Sequence, residues 1–98
     1  MSQEMSQEES IKALYDTADK FINLANELNQ KDPSGTVGSA LRFAAARFSA
    51  FEASTIAQDL EAEKEAIKEA LLKDYTLMIE SNLDAYITHM KEQAQKQD

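Results

Sequence analysis

The first part of the chain alternates apolar and polar residues with the period of an amphipathic helix. Its apolar residues recur at spacings of three and four, at Ile11, Leu14, Tyr15, Ala18, Phe21, Ile22, Ala25 and Leu28. Polar and charged side chains occupy the opposite face. Ser6 and Glu9 have the spacing of an N-terminal capping box. The pattern predicts a one-faced helix over residues 7–30.

The clearest break in this periodicity lies at residues 31–36. Pro33 fixes its own φ, and Gly35 tolerates positive φ, so both favour a turn. The segment is too short to join separate domains. It therefore predicts a tight connection between two helices.

The second predicted helix, over residues 36–57, is apolar on more than one side. Its apolar residues form one stripe at Val37, Leu41, Ala44, Phe48, Phe51 and Thr55, and a second group at Phe43, Ala46 and Ala50. Its small residues, which permit close helix packing, are Gly38, Ala45, Ser49 and Ala53. A helix of this kind is usually buried on more than one side. We therefore expect this helix to lie in the middle of the fold, with Phe48 in the core.

The third predicted helix covers residues 59–93 and contains neither Gly nor Pro. Asp59 is a suitable N-cap residue. The apolar positions span roughly 200° of the helix, which is broader than the seam of a two-stranded coiled coil. These patterns predict an all-α fold, a three-helix bundle with a central apolar helix and a long third helix. The second helix is apolar on opposite sides, Leu24 lies at the edge of its stripe and Leu77 falls outside its own arc. This surplus of apolar surface predicts a dimer.

Chain length and composition fit a single domain. The 98 residues include only 2 Gly and 1 Pro, too few for the many turns of a sheet protein. We expect a flexible leader at residues 1–6, one helical domain at residues 7–93 and a flexible tail at residues 94–98.

Charge and hydropathy exclude several classes of partner. The net charge of −8 disfavours a nucleic-acid partner, which would require a basic face. No run of about 20 apolar residues is present, so no membrane partner is expected. The chain starts without a basic, apolar, cleavable leader, and we expect a cytoplasmic protein.

Candidate catalytic sets are missing from the sequence. The chain has no cysteine and a single histidine, His89, so neither a thiolate nucleophile nor the Glu-x-x-His pairs of a di-iron bundle are possible. We expect His89 to lie at a core rim or in solvent near a helix C-terminus. The alternating Glu and Lys residues at 61–73 are typical of a solvated helix start. We predict no catalytic residue, metal or cofactor, and whether the chain is an enzyme stays open.

Arg42 and Arg47 are the two candidate ligand-binding residues. They are the only arginines, and both lie on the most apolar helix. A planar guanidinium suits carboxylates and phosphates. The favoured alternative is a structural ion pair, within or between subunits, whose candidate acceptors are Asp16, Asp19, Glu52, Asp74 and Asp84.

Five segments resemble a small bacterial family of unknown function. They are Tyr15-Asp16, Phe21-Ile22 with Ala25-Asn26, the block FAAARFSAF at residues 43–51, Glu63-Lys64, and Asn82-Leu83-Asp84-Ala85-Tyr86-Ile87. The resemblance extends from Ile11 to Ile87, and the central block is its most specific part. It implies a bacterial cytosolic source and no particular activity, and it draws attention to Arg47 more than to Arg42.

Three functional hypotheses follow. The first is a non-enzymatic helical interaction protein that acts as a homodimer, with a further protein partner possible. The alternative is a small-ligand or anion-binding protein, or an enzyme, with a pocket near Arg47 or Arg42. A weaker third idea, an acidic mimic of nucleic acid, requires carboxylates aligned on one face, and the helical positions do not align them.

Overall fold

The computed structural model describes residues 6–96, of which 91% are helical. Helix α1 spans Gln7–Lys31, α2 spans Thr36–Ile56 and α3 spans Leu60–Lys96. No strand occurs within residues 6–96. The predicted all-α fold of three helices with a long third helix is confirmed, and a helical bundle fits this element order. The dimer stays a prediction.

Helix α1 begins at the residue that the capping pattern predicts. Ser6 has extended backbone geometry, and its Oγ accepts a hydrogen bond from the Glu9 N–H at 3.1 Å. This bond satisfies one of the free N–H groups of the first turn. Glu8 and Glu9 also place negative charge near the positive end of the helix dipole.

The turn between α1 and α2 is held by local hydrogen bonds. The Asp32 N–H donates to the Leu28 carbonyl at 3.0 Å and closes α1, while Asp32 Oδ1 accepts from the Ser34 N–H at 3.2 Å. Gly35 has φ of 100°, a left-handed conformation that glycine adopts at little cost. The predicted helix–turn–helix connection is confirmed at this point.

Helix α3 starts after a reciprocal cap centred on Asp59. Asp59 Oδ1 accepts from the Ala62 N–H at 3.1 Å, and Glu63 Oε2 accepts from the Asp59 N–H at 2.9 Å. The two bonds together fix the start of the helix. Because Asp59 is the cap, α3 begins one residue later than predicted, and α2 ends at Ile56, one residue earlier.

The other end of α3 extends to Lys96, three residues beyond the predicted end. Most of the predicted leader and part of the predicted tail fall on residues 1–5 and 97–98, which lie outside the described residues. The helices divide into two compact units, of which the first ends at Phe51 and the second begins at Glu52. The single domain over residues 7–93 stays a prediction.

Burial is slight throughout the described chain. Within residues 6–96, only Ala53 is buried, and Phe48 is 61% exposed. The prediction that Phe48 lies in a core is therefore wrong for a single chain. A periodic stripe identifies which side chains share a helix face, but it does not ensure that another element of the same chain covers that face.

Candidate functional site

Large apolar side chains are exposed along all three helices. They include Leu14 and Phe21 on α1, Phe43, Phe48 and Phe51 on α2, and Leu72, Leu77 and Tyr86 on α3. Extended apolar surfaces of this kind are typical of sites where proteins associate. The face of α2 that carries Phe48 and Phe51 is the best-defined part of this surface.

An aromatic pair forms the centre of the α2 face. Phe48 and Phe51 are three residues apart, so their side chains share one side of the helix. Their ring centroids are 6.0 Å apart with an interplanar angle of 44°, within the range of favourable aromatic pairs. With Ala44, Arg47 and Ala50 they line an open depression of about 600 Å³. We call the surface of Ala44, Arg47, Phe48 and Phe51 the α2 face.

The least exposed residues near the end of α2 are small and lie on another side of the helix. Ser49 is half-buried and Ala53 is buried. They are four residues apart and lie roughly 150° around the helix from the α2 face. The small residues thus occupy the covered side of this part of α2, and the aromatic residues occupy the side open to solvent.

The structure does not bring the two candidate arginines together. Arg42 and Arg47 are five residues apart, which separates them by roughly 140° around the helix. Arg42 Nη2 donates to Ser39 Oγ at 3.4 Å, one turn earlier. Within residues 6–51, no carboxylate pairs with Arg47, and the ion pair of that segment joins Lys12 to Asp16 at 2.7 Å. Arg47 is thus an exposed cation that lines the same depression as the rings of Phe48 and Phe51. The sequence analysis did not predict this arrangement, because it assigned Phe48 to the core.

A family model described as "Protein of unknown function (DUF3144)" matches residues 14–87, well over half of the chain. The chain belongs to the DUF3144 family. The predicted membership of an uncharacterised family is thereby confirmed, and the bacterial source stays a prediction. No match was found among curated proteins or among solved structures.

The DUF3144 region contains all of α2, and with it Arg42, Arg47, Phe48 and Phe51. It ends at residue 87, so His89 lies outside it. His89 lines a second, smaller depression of about 250 Å³ with Ala85 and Tyr86 on α3. Those lining residues include no carboxylate to orient the imidazole, so they form no recognisable acid–base pair.

Two further types of site are missing from the described residues. Within residues 6–96, no three His, Asp or Glu side chains are grouped so as to hold a metal ion. None of the three described helices combines the length and the apolar character that crossing a bilayer requires.

Proposed function

We propose that this DUF3144 protein is a non-enzymatic helical interaction protein that works as a homodimer. The observation that carries the proposal is the exposure of apolar side chains on every helix while only Ala53, among residues 6–96, is buried. A single chain in this state gains little of the hydrophobic stabilisation that its composition offers, because burying a large apolar side chain is worth about 1.5–3 kcal/mol.

The apolar faces themselves support a second copy as the partner. A second copy supplies matching apolar faces and follows the commonest symmetry of protein assembly.

The alternative is an anion or small-ligand site, or an enzyme, near Arg47 or Arg42. The lack of a carboxylate partner for Arg47 within residues 6–51 is the observation in its favour. Against it, the depression beside Arg47 is open, and Arg42 lies on a different side of the helix. Ligand sites usually enclose most of the ligand and converge several polar groups on it. Titration of the parent chain with inorganic phosphate should therefore show no saturable binding that depends on Arg47. Saturable binding that is lost in Arg47→Met would support the alternative.

The proposal also includes a cytoplasmic location and a bacterial source. It includes a further unknown protein partner and no nucleic-acid partner. The net charge of −8 supports the exclusion of nucleic acid, because phosphate backbones attract basic surfaces.

Thermal unfolding at different protein concentrations tests the homodimer. If folding is coupled to dimerisation, mass action makes Tm rise as the concentration is raised over about a hundred-fold range. Circular dichroism follows the loss of helix directly. A Tm that is independent of concentration, with a compact monomer at every concentration, would overturn the proposal and indicate that the apolar faces are covered within one chain.

A further inference from the structure

The stripe of α2 that carries the exposed Phe48 and Phe51 has the seven-residue repeat of a two-stranded coiled coil, and within it Val37 is half-buried. Its positions are separated alternately by four and three residues, at Val37, Leu41, Ala44, Phe48, Phe51 and Thr55. In heptad notation Leu41, Phe48 and Thr55 occupy position a, and Val37, Ala44 and Phe51 occupy position d. The repeat spans α2 from Val37 to Thr55 and includes the exposed aromatic pair.

The two charges that flank this stripe have opposite signs. Arg47 immediately precedes Phe48 and occupies position g, while Glu52 immediately follows Phe51 and occupies position e. Both side chains are exposed. In a parallel pair of helices, a residue at g lies beside the residue at e five positions further along the partner helix, and such pairs select partner and orientation. Arg47 and Glu52 have this spacing.

We propose that two copies of the chain associate through α2 in parallel, with Arg47 of each copy paired with Glu52 of the other. The inference rests on the proposed homodimer and adds the seam, its direction and the charged residues that specify it. Two-fold symmetry forms the pair twice. The α2 helix carries both halves of the pair, and this self-complementarity favours a second copy over a different protein as the occupant.

Direction follows from the positions of the charges. In an antiparallel pair the g positions face each other, and Arg47 would approach the g side of the partner rather than Glu52. Of the two directions, only the parallel one places Glu52 of the partner, the one carboxylate of α2, beside each Arg47, which pairs with no carboxylate within residues 6–51 of its own chain. Arg42, the remaining charged residue of α2, occupies position b, away from the seam, where it bonds Ser39.

Charge reversal tests the pair. Arg47→Glu replaces two attractions with two repulsions, so the dissociation constant at low salt should rise roughly ten-fold or more. The double variant Arg47→Glu with Glu52→Arg restores the pairs in reverse and should recover most of that loss. Arg42→Glu is the matched control, because it makes the same charge change on the same helix outside the seam. Sedimentation equilibrium measures the dissociation constant of the parent chain and of the three variants.

Disulfide trapping tests the direction independently. The chain contains no cysteine. Equivalent d positions lie side by side in a parallel seam, within the Cα separation of about 4.4–6.8 Å that a disulfide requires. Ala44→Cys should therefore form a covalent dimer on mild oxidation. Ala46→Cys, at the outward position f, is the control and should stay largely uncrosslinked.

The results separate this inference from the proposal on which it rests. A parent chain that stays monomeric removes both. If the parent chain is a dimer but Arg47→Glu and Arg42→Glu raise its dissociation constant equally, the Arg47–Glu52 pair is wrong. The pair is also wrong if the double reversal does not restore the affinity of the dimer. A parent dimer in which Ala44→Cys crosslinks no better than Ala46→Cys overturns the parallel seam and leaves the homodimer standing.

Discussion

The rings of Phe48 and Phe51 lie 6.0 Å apart on α2, and their exposed fractions are 61% and 60%. Each ring contacts its neighbour but leaves most of its surface in water. Aromatic side chains bury about 150–250 Å² each when they are covered, and they dominate interface energetics. The pair therefore marks the position on α2 where covering the surface yields the largest gain in free energy.

Truncating one ring tests this view of α2. Phe48→Ala removes an aromatic anchor from each half of the dimer, and we expect a loss of about 2 kcal/mol or more in association free energy, roughly thirty-fold in Kd. Phe43→Ala is the control, because Phe43 is 68% exposed on the same helix but lies roughly 110° around it from the stripe. Sedimentation equilibrium should show the large change for Phe48→Ala alone. Equal effects of the two substitutions would argue against the α2 face as the interface.

Replacing each of the two glycines with alanine should change the free energy of unfolding in opposite directions. Gly35 has φ of 100°, and although a Cβ there would contact nothing within 4 Å, the left-handed backbone strains an L residue by about 1–2 kcal/mol. Gly38 lies within α2, where a Cβ would meet Arg42 Nη1 at an ordinary 3.6 Å. Gly38→Ala should stabilise the protein by up to about 1 kcal/mol. Urea unfolding at one protein concentration measures both, and a stabilising Gly35→Ala would contradict the turn geometry.

The cap of α3 provides a third prediction. Asp59→Ala removes the acceptor of the Ala62 N–H and should cost about 0.5–2 kcal/mol of stability. Asp59→Asn keeps a side-chain oxygen and should cost much less. Chemical denaturation distinguishes the two variants. If Asn costs as much as Ala, the carboxylate charge and not the cap determines the effect.

The turn makes a prediction about pH. The side-chain and backbone hydrogen bonds from Ser34 lower the pKa of Asp32 below its ordinary value of 3.8. A lowered folded-state pKa stabilises the fold above the unfolded-state value, and this contribution is lost as pH falls through the folded-state pKa. Ser34→Ala removes the larger cause, so the Asp32 pKa should rise toward 3.8 in a carboxyl NMR titration. An unchanged pKa would show that the Ser34 hydroxyl does not act on Asp32.

Local chemistry explains why the helix boundaries were predictable. Ser6 and Asp59 are cap residues whose hydrogen bonds involve atoms only a few positions away, and Gly35 has the positive φ that its residue type allows. The exposure of Phe48 was not predictable in this way. An apolar stripe is covered by residues distant in sequence or by another chain. The periodicity of the stripe itself carries no information about those covering residues. The same limit applies to Arg47, because its type and position suggest an acceptor without identifying one.

In the proposed dimer, the exposed apolar faces of one chain are covered by a second copy. Light scattering after size exclusion, over the micromolar range, measures the mass directly. The proposed dimer should give about twice the 11.0 kDa chain mass, with dissociation only on strong dilution. A mass of one chain at every concentration, for a protein that is folded and helical by circular dichroism, would show that no second copy covers these faces.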